Sequence, residues 1–124
     1  MPFKTVLYVS RAQRHRAQYQ LKTLVPLARV ANDGAAVTSI LQYDGANYMQ
    51  LLEGPTKTID QVMARIAMDS RHKDVRVLAD ERRSERSYIG LPLTYVYDES
   101  RQSRVTQLVD GHSVSSREVS SLLF

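Results

Sequence analysis

The sequence predicts an α+β fold: one mixed sheet of about five strands, with two helices on one face and short C-terminal helices on the other. Three observations carry this expectation. Strand-type and helix-type apolar patterns follow one another as strand, helix, strand, strand, helix, strand, strand, and then two short helical patterns. The dipeptide Asp44-Gly45 separates the second and third strand patterns and marks a hairpin. Ile59, Val62, Met63, Ile66 and Ala67 form an apolar stripe at helical spacing. The order is ferredoxin-like.

Phe3–Ser10 is a short apolar run rich in β-branched and aromatic residues, bounded by a basic stretch, and reads as the first strand. From Tyr19 to Ala31, Leu21, Leu24, Val25, Leu27 and Ala28 recur at helical spacing. Pro26 removes a backbone donor there and should kink or delay the helix, which Asn32-Asp33-Gly34 then ends. Ala36–Tyr43 and Ala46–Glu53 flank the turn. With Asp44 and Gly45 as the loop, Gln50 falls opposite Ser39, and alternation puts Tyr48, Gln50 and Leu52 on one face. Gly54-Pro55-Thr56 opens the second helix, which should stop near Asp69-Ser70. Asp74–Asp80 is a fourth strand, continuing toward Arg86 if its charged end is a sheet edge, and Leu91–Tyr97 is a fifth. Short helical patterns surround Val105–Val109 and Val119–Leu123. Residues 1–98 are expected to form one domain, with 99–124 a helical extension packed on the sheet or on a partner.

The chain has 124 residues, 43% hydrophobic and 24% charged, which suits one soluble domain with one core. No run of about 18 apolar residues predicts a membrane span. The N-terminus MPFKTVLYVSR lacks the layout of a secretory signal, so the cytoplasm is the expected location. Cysteine is absent, which excludes disulfides and thiolate metal sites. The net charge of +4 allows acidic partners, but the basic clusters at 11–18 and 80–86 come without a nucleic-acid motif and read as solvated strand ends.

Two polar residues fall in strands expected at the middle of the sheet: Tyr8 in VLYVS, and Gln50 between Met49 and Leu51. A buried amide and a buried phenol each need partners, and a Tyr8–Gln50 hydrogen bond would satisfy both. Pattern alone favours a structural pair that fixes strand register. Arg65 and Asp69 lie four apart, with His72 three further on, which groups them at one end of the second helix. They form either a surface ion pair worth under about 1 kcal/mol or a rim for a polar or phosphate-bearing ligand. The residue types alone favour the ion pair. The sequence holds no glycine-rich phosphate loop, dinucleotide fingerprint or nucleophile elbow. His15, His72 and His112 lack metal-ligand spacing. Hydrolase and metalloenzyme chemistry are not expected.

Taken together, Tyr8, Asn32, Gln50, Arg65, Asp69 and His72 make the chain resemble the BLUF family of flavin-binding blue-light photoreceptor domains, in its short, stand-alone form. The matching stretches are LYVSRA (7–12), ARVANDGAAVTSILQYDG (28–45), YMQLLEGP (48–55) and ARIAMDSRHKDVRVL (64–78). The resemblance implies a non-catalytic photoreceptor holding a flavin between the two helices, usually FAD, with FMN or riboflavin as alternatives. Tyr8 matches the tyrosine that gives an electron and a proton to the excited flavin, and Gln50 matches the glutamine that bridges the two and rearranges its hydrogen bonds. Asn32 matches an anchor for the polar ring edge. Arg65, Asp69 and His72 match ligand-lining positions, and Leu24 and Ile66 match the aliphatic residues on the two ring faces. A downstream protein partner and a homo-oligomer are implied, with no membrane or nucleic acid.

The sequence also departs from the family's pattern. Ala31 stands where many members have a first asparagine, and Ala36 and Ser39 stand where glycines are usual. Leu91 and Leu93 occupy the positions of a Trp-x-Met pattern implicated in passing the signal from Gln50 into the sheet, so they are the expected relay positions. Ala31 and Pro26 motivate a competing reading, a flavin-free interaction module that keeps the fold. A third reading, single-stranded RNA binding on the sheet face, would need exposed stacking aromatics.

Overall fold

Alternation of apolar residues along Phe3–Ala12 (β1) sends Val6 and Tyr8 to one side and Leu7 and Val9 to the other, so both faces of this strand are buried. That pattern places β1 inside the sheet rather than at its edge. The computed structural model describes residues 2–13, 36–86 and 93–123, together with 30 and 34. Thr38–Tyr43 (β2), Asn47–Pro55 (β3), the helix Thr56–Met68 (α1), His72–Arg83 (β4) and Thr94–Tyr97 (β5) follow. A 3₁₀ turn at Glu99–Arg101 leads to Gln102–Val109 (α2) and Ser116–Leu123 (α3). Apart from Val30, the expected first helix lies outside the described residues, and so do His15, Leu24, Asn32 and Leu91.

The sheet order is β4-β1-β3-β2-β5. β2 and β5 run parallel, and every other pair is antiparallel. This is the expected mixed, ferredoxin-like sheet with β5 added beside β2. On one face Ile59 of α1 packs, fully buried, against Val6, Tyr8, Val37 and Leu52. On the other, Val105, Leu108 and Val109 of α2 cover Leu7, Val9, Met49 and Leu51. The C-terminal helices therefore occupy the face opposite α1. Gly54 lets β3 approach the start of α1: a Cβ there would stand 3.2 Å from Val37 and 3.3 Å from Ile59.

The hairpin differs from the expectation in its loop. Gln50 pairs with Leu41, and Ser39 pairs with Leu52. The loop is Gly45-Ala46, not Asp44-Gly45, because the buried Asp44 carboxylate accepts from the backbone of Ala46 at 2.9 Å and of Asn47 at 2.7 Å. Asp44 N–H also donates to Asn47 O at 3.2 Å, closing the loop behind the glycine. Gly45, at φ +97, then takes the first loop position, where a positive φ suits glycine. Moving the loop by one residue shifts each cross-strand partner by two, so every side chain keeps its face.

The edge strand β4 starts at His72 and runs to Arg83, longer than Asp74–Asp80. Two register shifts against β1 absorb the extra residues, and Asp74, at φ +56, sits at one of them. β5 begins at Thr94, so the buried Leu93 precedes the strand instead of belonging to it.

Candidate functional site

The site is built on the two central strands. Tyr8 and Gln50 are direct cross-strand partners of β1 and β3, on the face that α1 covers. Tyr8 Oη donates to Gln50 Oε1 at 2.5 Å. Burial, followed by the nearby Asp69 and Tyr48, pushes the Tyr8 phenol far above its ordinary value, so it stays a proton donor at neutral pH. Gln50 is the one partly exposed residue in the otherwise buried run Asn47–Gly54. With Oε1 committed to Tyr8, its amide nitrogen has no partner among the described residues.

His72, the first residue of β4, is held from both sides. Its Nε2 lies 2.7 Å from the carbonyl oxygen of Ile66, and its Nδ1 lies 2.7 Å from Ser10 Oγ. A carbonyl only accepts, so Nε2 carries a proton and donates to Ile66. The ring also stands edge-on to Tyr8 and to Tyr48, with centroids 6.2 Å apart in each case. His72 thus ties β1, β4 and the C-terminal turn of α1 together. Ser10 was not singled out by sequence, although it lies two residues from Tyr8 on the same face of β1, a spacing that could have flagged it.

Arg65 and Asp69 do not pair. The helix ends at Met68, and Asp69 takes an extended backbone, so the four-residue helical spacing is broken between them. Asp69 instead receives two bonds from Arg71 Nε, at 2.8 and 2.9 Å, and a further one from Arg71 Nη2. This guanidinium holds the Asp69 carboxyl below the usual carboxylate range. Arg65 is exposed, with no ion pair among the described residues. Ile66 is partly buried and packs with Val62 and Met63 toward Tyr8 and Leu52.

Tyr48 extends the polar face. Burial raises its phenol to about 12, and its ring packs against Tyr43 at 5.3 Å between centroids. Leu93 belongs to this neighbouring cluster, with Ala12, Tyr43 and Tyr48. The structure therefore gathers Tyr8, Gln50, Ile66 and His72, sets Arg65 and Asp69 at the same helix end, and puts Leu93 beside Tyr48. Among the described residues, no group of three His, Cys, Asp or Glu side chains could hold a metal. No helix among them is long and apolar enough to cross a membrane.

A buried phenol bonded to a half-open amide thus lies beside the apolar face of α1. The family model described as BLUF, sensors of blue-light using FAD, matches residues 3–93, and the chain belongs to this family. Photoactivated adenylate cyclase subunit alpha of Euglena gracilis is 32% identical over 89 residues, which are 72% of this chain and 9% of that protein. The blue light- and temperature-regulated antirepressor BluF of Escherichia coli (strain K12) is 30% identical over 71 residues, 57% of this chain and 18% of that protein. The chain thus spans only a small part of the length of these relatives. In fold, it resembles the dark-state structure of BlrB, a BLUF protein, with a TM-score of 0.81 and 21% identity over 98% of this chain and 92% of that one. It also resembles Klebsiella pneumoniae BlrP1 with FMN and cyclic diGMP, with a TM-score of 0.70 and 24% identity over 85% of this chain and 30% of that one.

Proposed function

We propose that this chain senses blue light by holding a flavin against the sheet face of Tyr8 and Gln50, and records light as a change in the hydrogen bonds of Gln50. The observation that carries this reading is the Tyr8–Gln50 bond at 2.5 Å on the two central strands, with Gln50 alone partly exposed in its buried run. The residues fit such a group. An amide donor uncommitted among the described residues suits the polar edge of a flavin ring, and the aliphatic inner side of α1 suits its face.

A bound flavin would supply blue-light absorption and an electron acceptor. Tyr8 is the electron and proton donor in this reading: its raised phenol keeps the proton on Oη until the electron leaves. The bond to Gln50 would carry that proton onto Oε1 while Nε2 gives up one of its own toward the ring, so that the side chain stays neutral and exchanges one bonding pattern for another. Ile66 and Leu24 bracket the ring, and Asn32 anchors its polar edge. Arg65 and Asp69 line the helix end that would face the rest of the ligand. His72, whose two nitrogens are engaged by Ser10 and Ile66, acts by fixing the turn that carries Ile66 rather than by touching ligand. FAD is the flavin named in the family's description, and FMN or riboflavin would present the same ring. Leu91 and Leu93 are the relay positions in this reading, toward a downstream protein partner, with Leu93 packed beside Tyr48.

The deciding experiment is an absorption spectrum of the purified protein with added FAD, before and after blue light. A yellow protein with a reversible red shift supports the reading. Protein that takes up no FAD, or whose flavin shows no shift, overturns it.

A further inference from the structure

We propose that the tip of the β2–β3 hairpin is the output joint of this chain, passing the state of Gln50 to α2 through a polar clasp formed by Asp44, Asn47, Gln102 and Thr106. This rests on the light-sensing reading above and names the route by which that site acts on the C-terminal helices.

β3 has two sides with two tasks. Tyr48, Gln50 and Leu52 face α1, while Met49 and Leu51 pack under α2. Asn47 is the residue through which the strand is fastened to α2 by hydrogen bonds. It is 1% exposed, and its Nδ2 donates to Thr106 Oγ1 at 2.9 Å and to Asp44 Oδ2 at 3.2 Å. One helical turn earlier, Gln102 Nε2 donates to the carbonyl oxygen of Asp44 at 3.1 Å. Gln102 and Thr106 are four apart, so they share one face of α2, and the two together grip the hairpin tip. The approach is close, since a Cβ on Gly45 would stand 3.1 Å from Gln102 Nε2.

The clasp is also incompletely satisfied. Asn47 Oδ1 and Gln42 Nε2 are buried without hydrogen-bond partners among the described residues, and Gln42 pairs with Met49, next to the joint. Acceptor and donor are thus both available on neighbouring strands for a second arrangement of the same groups. The apolar contacts of Met49 and Leu51 with α2 are non-directional and tolerate sliding. The Asn47–Thr106 bond is directional, so a small shift of β3 at Gln50, three residues away, must either break it or carry α2 along.

Hydrogen–deuterium exchange of the flavin-loaded full chain, in the dark and under blue light, tests this. Wild type should change exchange across 102–123 on illumination. Thr106→Val should keep the flavin red shift but lose most of that change, and Thr106→Ser, which restores the hydroxyl, should recover it. Gln102→Ala should weaken it. A Thr106→Val protein that keeps the full light-dependent exchange change overturns the proposal. So does a wild type with a normal red shift and no change at 102–123. Absence of the red shift in wild type overturns the light-sensing reading itself, and this joint with it.

Discussion

The two faces of the sheet are made from the same strands but differ in what they bury. Under α2 lie Leu7, Val9, Met49 and Leu51, with Val105, Leu108 and Val109 above them, and the polar groups on that side of the strands stand at its margins, where Thr5 donates to the buried Glu53 and Asn47 to Thr106. Under α1 the same strands present Tyr8, Ser10, Tyr48 and Gln50 among Val6, Leu52 and Ile59. The apolar centre of the first face gains free energy from area removed from water and needs no particular orientation. The second fixes orientations through the Tyr8–Gln50 and Ser10–His72–Ile66 bonds, each contributing only about 1 kcal/mol net. Stability therefore resides mainly under α2, and responsiveness under α1. A directional contact can be switched by moving one proton, whereas an apolar contact cannot, so the α2 face responds only through the polar clasp at its margin.

Substitutions should separate the two. Leu108→Ala, at a fully buried position under α2, should cost about 2–5 kcal/mol in urea unfolding, while leaving the spectrum of bound flavin in place. Equal losses of stability and of flavin spectrum would mean that the faces are not independent. Tyr8→Phe should cost only about 1–3 kcal/mol, by leaving Gln50 Oε1 without its donor, yet should abolish the light-induced shift with flavin still bound. A surviving shift would remove Tyr8 from the photochemistry.

The alkaline limit of stability should also come from the polar face. The folded Tyr48 phenol is raised to about 12 by burial, against about 10 when unfolded. Between those values the unfolded chain loses its proton first, so stability is complete below about pH 10 and falls as pH rises toward 12. Tyr48→Phe should flatten that decline in a thermal-melting series. An unchanged profile would assign it elsewhere, with Tyr8 the next group to test. Arg65→Gln should have the smallest effect on folding, within about 0.5 kcal/mol, because Arg65 forms no ion pair among the described residues. A clear loss of FAD affinity in that variant would give Arg65 its ligand-facing role.

Much of this was readable along the chain. Alternation in VLYVS and in NYMQLLEG placed Tyr8 and Gln50 on strands and pointed to their mutual bond, because period-two patterning is local and an isolated buried amide needs a partner. The stripe Ile59, Val62, Met63 and Ile66 marked α1 and the face it buries. The ligand-lining roles expected of Arg65, Asp69 and His72 came from family resemblance, not from pattern, since these residues also read as an ordinary helix end.

What the sequence determined by itself was the order of elements and the face of each side chain, since both follow from backbone periodicity and the positions of turn residues. Only the tertiary structure decided which polar groups meet. It gave Asp69 to Arg71 rather than Arg65, because the helix stopped one residue short of the expected pair. It moved the hairpin loop to Gly45-Ala46, because the Asp44 carboxylate found two backbone donors. And it joined Asn47 to Thr106 across 59 residues of chain. Hydrogen bonds are short and directional, so their partners are settled only when distant segments have been packed to within a fraction of an ångström.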